Sequence, residues 1–386
     1  MNPKHATRIL FAILAIAFFA TPIAARMLGI TAQSFENRRF AQPPKPSQGW
    51  NAFQQTTQYL IDRMPLRAQA VQANTHIWEN ILNTTPRYNQ QTQLGDDQAL
   101  PFAGTAEGDA GTGQGPTTAA QVLSGRDGWL YLAGEQQNAC TPPLPFDETL
   151  RRWAELVEAV RASGRRAVLI VAPDKASVYP EHLPDEFPSE DCARQGKDDF
   201  WGLYEAIGPG LGVVPLRQRL LRAKQREREL VYLRKDSHWN AIGSLEMVRE
   251  VLDRFGGDRV RVGPRDVKRS VGTYQGDLTT LLGAPETDTR PDRIVAPVAG
   301  SARIPGRSLL VGDSFGALVF PQLTPYFAEL RSAPWVGTLR ERLLDEIAAA
   351  ETVVFETVER DVGYRTSDSG PASPAFTAAL RRHLSR

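Results

Sequence analysis

Cysteine is almost absent: Cys140 and Cys192 are the only two in 386 residues. Their spacing fits no metal-ligand pattern, which leaves a disulfide, two buried thiols or a reactive thiol. An excess of one charge is also missing, with 45 Lys and Arg set against 44 Asp and Glu. No bulk charge therefore argues for a nucleic-acid or polyanionic partner. Glycine-rich phosphate loops and internal repeats are lacking too, and no cofactor is expected.

What is present begins with one long, mostly apolar run, Ile9 to Ala25, behind a flank that carries Lys4 and Arg8. Its seventeen residues sit at the short limit for a spanning helix, with the basic flank on the cytoplasmic side. It is either a signal peptide cleaved near Ala24-Ala25 or an uncleaved signal anchor. Both readings put everything after Arg26 across the membrane. A disulfide persists there, so Cys140 and Cys192 are expected to be paired.

The expected organisation is a cytoplasmic segment 1–8, a membrane segment 9–25, a stalk and helical lead-in 26–94, a flexible insertion 95–120 and a catalytic domain 121–386. Apolar residues at helical spacing from Trp50 to Leu82 carry the lead-in, and the composition of 95–120 (Gly, Ala, Thr and Asp) carries the insertion. Beyond it, a turn followed by a strand is predicted over 127–132 and strands at 167–172, 230–233, 308–311 and 352–356, with helices at 148–163, 216–229 and 241–255. Strands alternating with helices imply an α/β domain with a parallel sheet covered on both faces. Ligands in such sheets sit at the carboxyl ends of the strands.

Two segments fall at such ends. Gly312-Asp313-Ser314 follows the predicted strand at 308–311, and Asp236-Ser237-His238 follows the one at 230–233. A serine hydroxyl is a poor nucleophile until a base takes its proton, and a histidine does this best when a carboxylate fixes its tautomer. Ser314 is therefore the candidate nucleophile, His238 the base and Asp236 its orienting acid. Backbone N–H groups at a strand-to-helix turn would face a developing oxyanion. Asp313 is read as a turn or capping residue. No second His or Cys lies near Asp236, so no metal centre is expected.

Further segments carry a resemblance. They are Gly125-Arg-Asp-Gly-Trp-Leu-Tyr131, Ala172-Pro-Asp-Lys-Ala-Ser-Val-Tyr-Pro-Glu181, Lys235-Asp-Ser-His-Trp-Asn240, Gly276-Asp-Leu278, Val311-Gly-Asp-Ser-Phe315 and Phe355-Glu-Thr-Val-Glu-Arg360. In this order they resemble the AlgJ/AlgX-like alginate O-acetyltransferase branch of the SGNH hydrolase superfamily, from about residue 35 to 360. The resemblance implies an SGNH/flavodoxin-like three-layer α/β/α core behind a membrane anchor. It also implies periplasmic O-acetylation of an exopolysaccharide at the inner membrane, through an acetyl-enzyme on Ser314. The acetyl group would be delivered by a membrane-bound O-acyltransferase partner. The insertion at 95–120 has no counterpart in that pattern. A carbohydrate-binding module of the AlgX kind is expected to be missing after Arg360.

Four residues are candidate substrate contacts: Trp239 and Tyr274 as stacking platforms for sugar rings, Lys175 and Tyr179 as cleft-lining groups. For each, packing is the competing reading. Two other functions share the same residues, a carbohydrate acetylesterase and a non-catalytic glycan-binding or scaffold subunit of a secretion complex.

Overall fold

Continuous burial along a few short strands sets the centre of the fold. The computed structural model describes residues 122–385, apart from 188–189, 228, 264, 283–285, 297–301 and 337. The expected membrane segment, lead-in and insertion lie outside these residues. Among the described residues no helix is long and apolar enough to cross a membrane.

A short antiparallel hairpin, β1 (Val122–Ser124) and β2 (Leu130–Leu132), comes first. The turn between them needs Asp127 at φ 55° and Gly128 at φ 73°, a left-handed pair that short polar residues and glycine tolerate best. Next come β3 (Arg166–Ala172) and β4 (Val213–Pro215), then an antiparallel ribbon of β5 (Val267–Gln275) and β6 (Thr287–Val295). Finally β7 (Ile304–Gly312), β8 (Phe327–Pro334) and β9 (Thr352–Val358) join β3 and β4 in a five-stranded parallel sheet ordered β4-β3-β9-β7-β8. The flavodoxin-like expectation needs one change, because the last strand enters beside the first instead of closing an edge. This insertion sets the carboxyl ends of β3, β9 and β7 side by side.

Successive side chains on a strand point to opposite faces, and here both faces are buried. Val168 and Ile170 of β3, Leu310 of β7 and Val354 of β9 pack under helices Arg217–Arg226, Ala241–Phe255 and Ser314–Leu323. Leu169 and Val171, Leu309 and Val311, and Val353 and Phe355 face the other way, against helices Phe146–Arg161, Glu190–Ile207, Arg340–Ala349 and Pro374–Leu384. The result is the expected three-layer α/β/α arrangement.

One predicted strand does not exist as such. Residues 230–233 form only an isolated antiparallel bridge, Tyr232 to Trp239, and join no sheet. The Val231 N–H is taken by the Tyr179 hydroxyl (3.0 Å) and its carbonyl by the Asn240 N–H (3.1 Å). Its apolar residues therefore fill the core from a tight turn.

Cys140 and Cys192 are bonded, with Cα atoms 5.3 Å apart, and join helix Gly134–Cys140 to helix Glu190–Ile207. The bridge spans 52 positions of sequence. For a loop of that size, chain-entropy reasoning gives about 4 kcal/mol of stabilisation. Cys192→Ser is expected to lower the urea midpoint accordingly, and a thiol titration of unfolded, unreduced wild type is expected to find no free thiol. An unchanged midpoint, or two free thiols, would contradict the bridge.

Candidate active site

The turn that carries Ser314, the candidate nucleophile, is built around a buried carboxyl group. β7 stops at Gly312, and helix Ser314–Leu323 starts two residues later with Asp313 as its cap. Asp313 Oδ1 accepts from the Phe315 N–H at 2.9 Å, while Oδ2 accepts from the Val358 N–H (3.0 Å) and from Arg365 (3.1 Å). Capping is the role expected from the sequence, and it is the one Asp313 plays. Beneath the turn, Glu356 Oε2 accepts from the N–H groups of Asp313 and Gly316, each at 3.0 Å. That approach requires glycine on both sides, since a Cβ at Gly312 or Gly316 would lie 2.7 or 2.8 Å from Glu356 Oε2. Burial, followed by the charge of Asp313, pushes the Glu356 carboxyl well above the usual carboxylate range.

The candidate base, His238, sits on a turn held from three sides. Asn240 caps helix Ala241–Phe255, accepting from Ile242 N and Gly243 N at 3.0 Å each, so the helix begins directly after the Asp-Ser-His-Trp segment. A cap of this kind is worth about 1 kcal/mol. The Leu130 N–H of β2 donates to the Arg234 carbonyl at 2.9 Å. Lys175 Nζ donates to three carbonyls of the same turn, those of Leu233 (3.2 Å), Arg234 (3.1 Å) and Asp236 (2.6 Å).

On this frame the three predicted residues meet. His238 Nε2 lies 2.7 Å from Ser314 Oγ, and His238 Nδ1 lies 2.7 Å from Asp236 Oδ1. Asp236 Oδ1 also accepts from the His238 N–H at 2.8 Å, and Oδ2 from the Asp277 N–H at 3.1 Å. Burial works against ionised Asp236, yet the hydrogen bonds and charge of His238 outweigh it and hold the carboxyl below its ordinary value. Burial likewise opposes the imidazolium. The bond to Asp236 and the charges of Asp236 and Asp277 exceed that penalty, so His238 is raised.

Three of the four weaker candidates are corrected. Lys175 is fully buried, and burial pushes its ammonium down to about 8. It holds the base turn and lines no cleft. Tyr179 is 3% exposed, its ring 4.5 Å from that of Trp129, and burial raises its hydroxyl to about 12. Trp239 is 1% exposed with its ring edge-on to Phe315, which leaves no face for a sugar. Tyr274 is half-buried on β5, and burial followed by the Asp292 carboxylate raises its hydroxyl. Those three come from aromatic or long apolar stems that the core uses first.

Asp236, His238 and Asp277 form a group whose ligand atoms all lie within 4.8 Å of one another. Their contacts are already committed: Asp236 to His238 and the Asp277 N–H, and Asp277 to Ser237, whose N–H (2.7 Å) and Oγ it accepts. The hydrogen-bond network alone accounts for the arrangement. The sequence leaves Asp277 undecided between ion pairing and substrate contact and gives Ser237 and Glu356 no role. The signal available is only that Gly276-Asp277 and Glu356 lie in segments shared with the resembled family.

Known proteins resemble this chain over much of its length. Residues 122–317 match the family described as SGNH hydrolase-like domain, acetyltransferase AlgX. A probable alginate O-acetylase AlgJ of Pseudomonas syringae pv. tomato is 28% identical over 240 residues, covering 58% of this chain and 59% of that protein. The corresponding protein of Pseudomonas putida is 26% identical over 300 residues, covering 67% of this chain and 74% of that one. The match to the first relative thus spans about three-fifths of its length. The solved O-acetyltransferase domain of Pseudomonas putida AlgJ is 24% identical, with a TM-score of 0.46 over 69% of this chain and 99% of that one. With half of its residues matched to the family, and with segments in the order described above, the chain belongs to the AlgJ/AlgX-like family of SGNH hydrolase-like acetyltransferase domains.

Proposed function

We propose that this chain is an O-acetyltransferase that moves acetyl groups onto hydroxyls of a bacterial exopolysaccharide, alginate or another, through an acetyl ester on Ser314. The observation that carries the proposal is the relay from Asp236 through His238 to Ser314, with both links at 2.7 Å. As Ser314 Oγ attacks the acetyl carbonyl of the donor, His238 Nε2 takes its proton. The tetrahedral adduct collapses, and the leaving group departs with that proton. A sugar hydroxyl then attacks the acetyl-serine and gives its own proton to His238. The new ester leaves, and Ser314 Oγ recovers the proton. In the first turn of the helix the N–H groups of Phe315 and Gly316 are occupied by Asp313 and Glu356. The Ser314 N–H then serves the oxyanion.

The cellular setting belongs to the same proposal. Segment 9–25 holds the protein at the inner membrane, residues 26–120 connect it to the catalytic domain at 121–386, and that domain works in the periplasm. There it receives acetyl groups from a membrane-bound O-acyltransferase and meets the polysaccharide. The Cys140–Cys192 bridge supports an oxidising compartment.

The test gives the full-length protein a generic acetyl ester together with a panel of oligosaccharides that includes oligomers of alginate. Acetylated oligosaccharide in the product masses is the expected result. Free acetate from a natural acetylated glycan, with no transfer to any acceptor, would establish the esterase in its place.

A pH prediction follows from the electrostatics. The base works only when neutral, and His238 is raised above its ordinary value, so its proton leaves at higher pH than that of a free imidazole. Asp236, held low, stays ionised across the same range. The value of kcat/KM for ester cleavage is therefore expected to climb with pH through a limb above about 6.5. A limb at or below that value would contradict the charge arrangement.

A further inference from the structure

His238 faces two carboxylates. Asp277 Oδ2 lies 3.4 Å from His238 Nδ1, on the same side of the ring as Asp236. The same carboxylate accepts the Ser237 N–H at 2.7 Å and the Ser237 hydroxyl, so it clamps the residue between acid and base. Its own N–H donates to Asp236 Oδ2 at 3.1 Å. Asp277 therefore touches all three residues of the base turn.

The ribbon delivers it there. β5 ends at Gln275, Gly276 turns the chain, and Asp277 opens a one-turn helix. A Cβ on Gly276 would collide with the Lys235 carbonyl, so only glycine lets the ribbon come this close to the turn. Lys235 and Glu286 pair across the same junction.

We infer that Asp277 is a positioning residue for acyl transfer, a second carboxylate that orients the His238 ring through Ser237 and stabilises its imidazolium alongside Asp236. The inference rests on the proposed role of His238 as the base. Other charges around the imidazole are Asp236, which acts in the same direction, and Arg360, which opposes it. Lys175 touches the turn through carbonyls, the nearest being that of Asp236. Burial and the charge of Asp236 raise the carboxyl of Asp277, so it loses its negative charge before Asp236 does on acidification.

A merely structural Asp277 and a positioning one differ in what they do to the histidine itself. The experiment follows His238 by NMR across a pH titration of the full-length protein, with His238→Gln assigning the resonance, in wild type, Asp277→Asn and Gly276→Ala. The Asp277→Asn change keeps the shape and an acceptor for Ser237 but removes the charge. The expected result is a fall of about one pH unit in the His238 midpoint, a roughly tenfold loss of proton affinity, with the acid limb of kcat/KM moving by the same amount. Gly276→Ala, which pushes an intact Asp277 away from the turn, is expected to shift the midpoint in the same direction by less. If Asp277→Asn fails to fold, the glycine variant decides. A wild-type midpoint in a folded variant would overturn the inference. The titration reads the ring directly, so it stands even if Ser314 proves not to be the nucleophile.

Discussion

Ser314→Ala is expected to abolish acetyl transfer and ester cleavage while leaving the fold in place. In the proposed mechanism the Oγ atom forms the acetyl ester, and without it no acyl-enzyme can be made. Losses on the order of 10⁴ to 10⁶ in turnover accompany removal of the nucleophile in serine enzymes that use this relay. Stability is a separate matter. The polar contact of the side chain is with His238, alanine is the best helix former, and the position is the first of its helix and half-buried. The change in unfolding free energy should stay within about 1 kcal/mol. Circular dichroism and a urea midpoint check the fold, and release of acetate or transfer to oligosaccharide checks the chemistry. A variant that is folded and fully active would place the nucleophile elsewhere and remove the proposed mechanism.

The second large effect is expected from Asp236→Asn. Asp236 Oδ1 receives both the His238 Nδ1–H and the His238 backbone N–H, so the carboxylate fixes the tautomer that leaves Nε2 free to take the serine proton. An amide in its place offers a donor as readily as an acceptor. With the donor turned to Nδ1, the proton moves to Nε2 and the ring can no longer act as base. The expected loss in kcat is about 10⁴-fold, the size seen when an analogous acid is changed to its amide. Asp277, 3.4 Å from the same nitrogen, is placed to moderate that loss. A rate near wild type for Asp236→Asn, with a collapsed rate for Asp277→Asn, would exchange the roles of the two carboxylates.

The positions of these groups show which parts of the protein are local and which are not. The strand Arg166–Ala172 was legible because its last six residues, buried on both faces, form an apolar run rich in β-branched side chains. Helix Ala241–Phe255 was legible because its apolar period and its cap are written within a few residues of each other. The run at 230–233 misled because a turn buried on all sides has the same composition as a buried strand. The ribbon of β5 and β6 was missed because it is half-exposed, with Gly272 in one strand and Pro291 in the other, so no clean alternation marks it. Lys175 was misplaced for a similar reason. A lysine near a strand end looks like a cleft residue until its three acceptors are seen to be carbonyls of a turn about 60 residues away.

By itself the sequence determined the α/β class, the choice of Asp236, His238 and Ser314 as candidates, and the family, since each depends on residue types at short, readable spacings. The tertiary structure alone decided the strand order, the placement of Asp277 against His238, the support of the nucleophile turn by Glu356 and the burial of Lys175, Tyr179 and Trp239. These arise where segments far apart in the chain approach within hydrogen-bonding distance, and no local pattern of residues encodes that approach.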